Sequence, residues 1–323
     1  MKPTLPTVHD RRVVIMLQLG VLLVILGGIF SARLFSSPPA PAEEYVQLSA
    51  VPLKPTDQAL LFESLEEIAV RGKAAYVWDV KAETVLYSKN SDEVLPLASL
   101  TKLMTGLLSF ELLDTNTEGI ITEQALRQDG STGLAAGDRL NLEQLNKLSM
   151  IASSNDAAFA LGATVGSALG DDDAYAQFVT AMNIRAEELG LDTLEFKNTT
   201  GLDVSPSEAG AVGSAKDVSL LMAYILKTHP EILEPTKRSA TRVYNDDGSF
   251  YDVTNTNDAL YAIPNLLGSK TGYTDLAGGN LTIAFDAGFN RPIIITVLGS
   301  TRDERFSDVL RLMNAIKENG DAL

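Results

Sequence analysis

The chain contains no cysteine among its 323 residues. That excludes a disulfide scaffold, a thiol nucleophile, an iron–sulfur cluster and any zinc site built on thiolates. Histidine is nearly absent, with His9 and His229 the only two. A three-histidine metal centre is therefore out of reach within one chain, and a Ser–His–Asp hydrolase could use only one imidazole. Positive charge is also scarce: 26 basic residues stand against 42 acidic ones, for a net charge of −16. That balance argues against a basic nucleic-acid footprint, and no nucleic-acid partner is expected. What is present is a hydrophobic fraction of 45% with 21% charged residues. Such a chain buries a core and is too apolar to be disordered.

The few basic residues are unevenly placed. Residues 1–35 hold Lys2, Arg11, Arg12 and Arg33 against Asp10, a local charge of +3 that leaves −19 for the remainder. Between the paired arginines and Arg33 lie residues 13–32, in which only Gln18 and Ser31 are markedly polar. Twenty helical residues span roughly 30 Å, the thickness of a bilayer core. The spacing predicts a transmembrane helix at 13–32 with a cytoplasmic tail at 1–12 and the bulk of the chain outside, because the cations flank its N-terminal side. Ala40-Pro41-Ala42 offers small residues for a signal peptidase. The apolar run is longer than a usual signal core and is separated from that site by Arg33 and prolines, so an uncleaved anchor is favoured. Residues 33–57 follow as a linker, with five prolines between 36 and 57, a density that suits a semi-rigid spacer. Residues 58–323 read as one catalytic unit without internal repeats.

Within that unit, 74–80 and 83–87 read as strands around a Lys81-Ala82 turn. Residues 99–110 read as a largely buried helix, with Leu100, Leu103, Met104, Leu107 and Leu108 supplying its apolar faces. Leu142, Leu145, Leu148 and Ile151 mark another helix, and a further one is expected near Asp156, a good capping residue. Residues 175–189 and 216–226 look helical. Leu281, Ile283 and Phe285 alternate as in a strand, 291–298 is a β-branched run, and Gly288 with Asn290 marks the turn between them. Phe306, Val309, Leu310, Met313 and Ile316 form the stripe of a closing helix. Strands at both ends with helices between them imply an α+β fold whose sheet joins distant parts of the chain.

Ser99 is the only serine followed three residues later by lysine, in Ser99-Leu100-Thr101-Lys102. At the start of a helix the two side chains share a face. A serine hydroxyl needs a base beside it, and a lysine made neutral by burial and by the positive helix end supplies one. Taken alone, the pattern is weak, and a serine cap followed by a surface lysine is the simpler reading of it. Ser153-Ser154-Asn155 falls between two helices, where a loop can project a hydroxyl and an amide, or simply cap a helix. Ser88-Lys89-Asn90 repeats that pattern and shows how common it is. Lys270-Thr271-Gly272-Tyr273 alternates a lysine and a hydroxyl with a glycine that allows close backbone approach, or it marks a strand edge. The order of the three motifs, at separations of 54 and 117 residues, is far less common than each motif.

These motifs resemble the signature of penicillin-binding proteins and serine β-lactamases. The stretches Pro96-Leu97-Ala98-Ser99-Leu100-Thr101-Lys102-Leu103-Met104-Thr105, Ser154-Asn155-Asp156-Ala157-Ala158, Phe196-Lys197-Asn198-Thr199-Thr200-Gly201-Leu202-Asp203 and Lys270-Thr271-Gly272-Tyr273-Thr274 are similar to low-molecular-mass D-alanyl-D-alanine carboxypeptidases. The likeness runs from about residue 74 to 316. It implies a transpeptidase-like antiparallel sheet flanked by helices, with a mainly helical subregion and the cleft between them. It also implies a peptidoglycan stem peptide as substrate, acylation by β-lactam antibiotics, and neither cofactor nor metal. Ser99 would be the nucleophile and Lys102 its base. Ser153 would relay a proton to the leaving D-alanine, and Asn155 would bond the substrate amide. Lys270 and Thr271 would hold the terminal carboxylate. The backbone N–H groups of Ser99 and of Tyr273, which follows Gly272, would form the oxyanion hole, and Arg305 would lie near the carboxylate.

The chain departs from the family in three ways. It ends about 50 residues beyond Gly272, which leaves room for two strands and a helix but no following β-rich domain. The anchor is expected at the N-terminus rather than in a C-terminal amphipathic helix. Ser154 stands where glycine is frequent, which is tolerable if only its backbone lines the cleft. Three other activities compete with carboxypeptidase action. A D,D-endopeptidase uses the same acyl chemistry on cross-links. A β-lactamase would need a water-aligning carboxylate, for which Glu188 is spaced but reads as solvent-facing. A non-catalytic wall-binding module would not need Ser99 and Lys102. His229, before Pro230, reads as a helix-end residue.

Overall fold

The computed structural model describes residues 68–130, 133–170 and 173–318. The predicted anchor at 13–32 and linker at 33–57 lie outside the described residues. Among the described residues no helix is long and apolar enough to cross a membrane.

The first strands, β1 (Ala74–Asp79) and β2 (Thr84–Lys89), form the expected antiparallel hairpin. Asp79 Oδ1 closes its turn by accepting the N–H groups of Lys81 and Ala82. After β3 (Leu95–Pro96), a 3-10 turn at Ala98–Thr101 runs into α1 (Lys102–Leu112). The short pair β4 (Glu118–Ile120) and β5 (Arg139–Asn141) precedes α2 (Leu142–Ile151), α3 (Asn155–Leu169) and α4 (Ala174–Glu188). Strands β6 (Glu195–Phe196) and β7 (Ala211–Gly213) join β3 in a small sheet, and α5 (Ala215–Thr228) follows. A hairpin of β8 (Ala240–Tyr244) and β9 (Phe250–Thr254) leads to β10 (Leu266–Thr274), β11 (Gly278–Asp286), β12 (Pro292–Ser300) and the closing helix α6 (Glu304–Glu318).

The main sheet is antiparallel, in the order β10-β11-β12-β1-β2. Its centre is the β1–β12 pairing, with Ala74 opposite Leu298 and Asp79 opposite Ile293, so the two ends of the domain close it. Alternate residues face opposite sides. Val77, Ile283, Ile295 and Val297 bury against Val309, Leu312, Met313 and Ile316 of α6. Trp78, Ala284, Ile294 and Leu298 face the larger core, which contains Val218, Leu221 and Met222 of α5. Cover on both faces explains the unbroken β-branched run of β12. Helix α1 is buried from Lys102 through Ser109, which accounts for its apolar residues on every side.

Two helix starts differ from the sequence expectation. Ser99 lies in the 3-10 turn, because Ala98 before it has a left-handed φ of 49° and tightens the chain ahead of α1. Helix α3 is capped by Ser154, whose Oγ accepts the Ala157 N–H at 3.1 Å. Asp156, the expected capping residue, lies inside the first turn. The Gly288–Asn290 turn falls between β11 and β12 as expected, and His229 caps the end of α5.

Candidate active site

Ser99 sits half-exposed on a turn held from both sides. Gly201, with φ of 78°, lies so close beneath it that a Cβ there would fall 1.8 Å from the Ala98 carbonyl oxygen. The loop carrying Gly201 is folded around Asn198, whose Oδ1 accepts the N–H groups of Thr200 and Gly201 at 3.2 and 2.7 Å. Opposite, a Cβ on Gly272 of β10 would lie 2.9 Å from the Leu97 carbonyl oxygen and 3.2 Å from the Ser99 nitrogen. Only a glycine lets the strand approach the serine backbone this closely.

Lys102, the first residue of α1, is 0% exposed. Its Nζ lies 2.8 Å from Ser99 Oγ, 2.7 Å from Asn155 Oδ1 and 2.9 Å from the Thr200 carbonyl oxygen. No carboxylate pairs with it among the described residues, and burial lowers its pKa to about 7. The three partners also fix its orientation. Asn155 Nδ2 donates to the Asp129 carbonyl at 2.5 Å, so its Oδ1 faces the lysine. Asn155 Oδ1 and Thr200 O can only accept, and they occupy the two N–H donors of a neutral amine. The lone pair is left for the Ser99 hydroxyl.

Ser153 occupies the junction between α2 and α3 with a left-handed φ of 57°, a conformation that costs energy for a residue with a Cβ. Its Oγ accepts from Lys270 Nζ at 2.8 Å, and the same nitrogen bonds the Thr271 carbonyl at 2.9 Å. Lys270 is 1% exposed. Burial, followed by the charges of Lys102 and Arg305, pushes its pKa well below the usual lysine range. Ser154 is fully buried and turned to its helix-capping contact.

A cleft of about 290 Å³ opens beside these groups, lined by Ser99, Ser153, Thr271, Gly272, Tyr273 and Arg305 together with Thr256, Asp258, Arg302 and Asp303. Arg305 is only 6% exposed and donates to the Gly272 carbonyl at 2.7 Å. Burial lowers its pKa, and its Nε has no hydrogen-bond partner among the described residues. The Arg302 guanidinium lies 5.4 Å from the centroid of the Tyr273 ring.

The expected residues therefore occupy one region, with some contacts redistributed. Lys270 reaches Ser153 and is not on the cleft wall. Asn155 bonds Lys102 and the Asp129 backbone, and it too is absent from the wall. Thr271, Gly272, Tyr273 and Arg305 do line it. Sequence reasoning missed Thr256, Asp258, Arg302 and Asp303, and gave no role to Asn198 and Thr200. The last two stand in a stretch quoted only for its family likeness. Arg302 stands three residues before Arg305, but nothing in the local pattern marks Thr256 or Asp258. Glu188 pairs with Arg185 at the end of α4 and is not part of the cleft wall. Lys89, in the repeated Ser-x-Asn pattern, bonds the Val70 and Gly72 carbonyls.

Comparison with known proteins places these features in a family. The S11 peptidase family, described as D-alanyl-D-alanine carboxypeptidase, matches residues 62–302. The chain is 33% identical over 254 residues to the D-alanyl-D-alanine carboxypeptidase DacF of Bacillus subtilis, covering 77% of this chain and 62% of that protein. It is 29% identical over 256 residues to a D-alanyl-D-alanine endopeptidase of Escherichia coli, covering 76% of each. The crystal structure of penicillin-binding protein D2 from Listeria monocytogenes, in a cefotaxime-bound form, superposes with a TM-score of 0.66 at 31% identity. That match covers 77% of this chain and 98% of that one, and it extends to the mixed sheet-and-helix architecture. The chain belongs to the S11 family of D-alanyl-D-alanine carboxypeptidases.

Proposed function

We propose that this protein is a serine-type D-alanyl-D-alanine carboxypeptidase that removes the terminal D-alanine from peptidoglycan stem peptides and is acylated by β-lactams. The observation that carries the reading is the buried Lys102 amine, free of any carboxylate partner among the described residues, with Nζ 2.8 Å from Ser99 Oγ.

The chemistry follows from that contact. The Ser99 hydroxyl gives its proton to the Lys102 lone pair as Oγ bonds the carbonyl carbon of the penultimate D-alanine. Negative charge gathers on the carbonyl oxygen, beside the backbone N–H groups of Ser99 and Tyr273. Interactions of that kind are worth roughly 3–4 kcal/mol of barrier when lost. As the C–N bond breaks, Ser153 Oγ passes its proton to the departing nitrogen and takes in its place the proton that Lys102 received from Ser99, while Lys270 Nζ holds the Ser153 oxygen at 2.8 Å. The proton taken from Ser99 thus leaves on D-alanine. Water then attacks the ester, Lys102 again accepts a proton, and Ser99 is restored. Arg305 and the Thr271 hydroxyl face the terminal carboxylate, with Lys270 acting through Ser153.

The same proposal places the domain outside the cell membrane, tethered by residues 13–32 through the linker at 33–57. It rests on the apolar length of that segment and the cations flanking it. In membranes from expressing cells, the protein should resist alkaline carbonate extraction and be digested by protease added to spheroplasts. Extraction into the supernatant would overturn the anchor.

Activity is tested with the full chain in detergent and a peptide ending in D-Ala-D-Ala. Free D-alanine and a long-lived fluorescent-penicillin adduct are expected, both lost in Ser99→Ala. Cleavage of cross-linked dimers without release of terminal D-alanine would favour an endopeptidase, the activity named for the Escherichia coli relative. Rapid penicillin turnover without D-alanine would make it a β-lactamase, and neither cleavage nor adduct would leave a wall-binding module.

A further inference from the structure

The cleft contains a hydroxyl pair that the three motifs do not predict. Thr256 lies in the loop between β9 and β10 and lines the cleft. Its Oγ1 is 2.6 Å from Thr271 Oγ1. Its backbone N–H bonds the carbonyl of Ile151, the last residue of α2, at 3.1 Å, and its hydroxyl lies 3.5 Å from the same oxygen. Thr256 thus ties the helix that ends two residues before Ser153 to the strand that carries Thr271.

We infer that Thr256 is a specificity-determining residue that works with Thr271 and Arg305 to recognise a substrate carboxylate, an assignment that rests on the carboxypeptidase reading. Lys270, directed at Ser153 and the Thr271 carbonyl, leaves the cleft wall to other donors. Arg305 is one, with a buried Nε that has no hydrogen-bond partner among the described residues. The hydroxyl pair is the other. Two hydroxyls bonded to each other share one hydrogen and keep one for a ligand. In one orientation Thr256 donates to Thr271, which donates to the anion. In the other Thr271 donates to Thr256, which meets the anion directly. Thr256 takes part in both, either as the donor or as the group that fixes where the Thr271 hydrogen points. Its competing acceptor, the Ile151 carbonyl, is 0.9 Å farther away than Thr271 Oγ1. The pair is therefore poised for a ligand that only accepts hydrogen bonds, as a carboxylate does and a carboxamide does less well.

Thr256→Val removes the hydroxyl and keeps the shape, and Thr256→Ser keeps the hydroxyl. Cleavage is measured for a peptide ending in D-Ala-D-Ala as the free acid and as its C-terminal amide. In parallel, acylation rates are measured with a penicillin and with its methyl ester. For the valine variant, KM for the free acid should rise roughly tenfold, the scale of one lost hydrogen bond to a charged group. The amide and the ester should change little, and the serine variant should restore the acid. Equal losses for the acid and the amide, or for the penicillin and its ester, would reduce Thr256 to a structural tie and overturn the assignment. If the wild type cleaves neither peptide and is not acylated, the carboxypeptidase reading itself fails, which is a separate outcome.

Discussion

Lys102 Nζ and Ser99 Oγ stand 2.8 Å apart, and the remaining contacts of the amine are two oxygens that cannot donate. A protonated lysine would present three hydrogens to this cradle, whereas a neutral one presents two and a lone pair. Burial, with no counter-ion among the described residues, lowers the pKa to about 7, so about half of the amine is in the second state at that pH. The cost of that arrangement falls on stability, and it has a definite sign.

The Lys102 pKa is about 7 in the folded protein and 10.5 ordinarily. Between those values the unfolded chain binds one more proton, so stability rises with pH. The slope contributed is at most about 1.4 kcal/mol per pH unit. Chemical denaturation at pH 7, 8 and 9 should show this rise in the wild type and a shallower one in Lys102→Met. Lys270, whose pKa is also depressed, contributes in the same direction and remains in the variant. Parallel slopes in the two proteins would show that Lys102 is not depressed.

Gly272→Ala tests the approach of β10 to the turn that carries Ser99. The added Cβ would fall 2.9 Å from the Leu97 carbonyl oxygen, so strand and turn must separate. Acylation by a fluorescent penicillin should fall by roughly a hundredfold or more, the range seen when an oxyanion donor is displaced, with circular dichroism unchanged. A wild-type rate would mean that the close approach does not matter to the reaction.

Ser154→Ala separates capping from chemistry. The variant should lose about 1 kcal/mol of stability with the N-cap bond. Its acylation rate should move by less than about twofold. A larger loss of rate would place the Ser154 hydroxyl in the proton path after all.

The β1–β2 hairpin, the closing helix and the three motifs were readable because each is local. Period-two and period-3.6 patterns mark the elements, and the spacing of Ser99 and Lys102 is unique in the chain. The left-handed Ala98 was not readable, since it packs against Gly201 of a loop about a hundred residues later in the chain. The direction of Lys270 depends on Ser153, a residue 117 positions earlier. Thr256, Asp258, Arg302 and Asp303 are ordinary surface-type residues with no periodicity. They face one cleft because the loop before β10 folds back along that strand, with Thr256 against Thr271, towards the strand end that the turn after β12 adjoins.

The pH dependence of acylation by a fluorescent penicillin, between pH 5 and 9, tests the pairing of Ser99 with Lys102 most directly. With Lys102 as the base at a pKa of about 7, the second-order rate constant should rise about tenfold per pH unit below neutrality and level off above it. No adduct should form in Ser99→Ala. A rate that is flat across the whole range, or an adduct that survives in Ser99→Ala, would contradict the pairing of this nucleophile with this base.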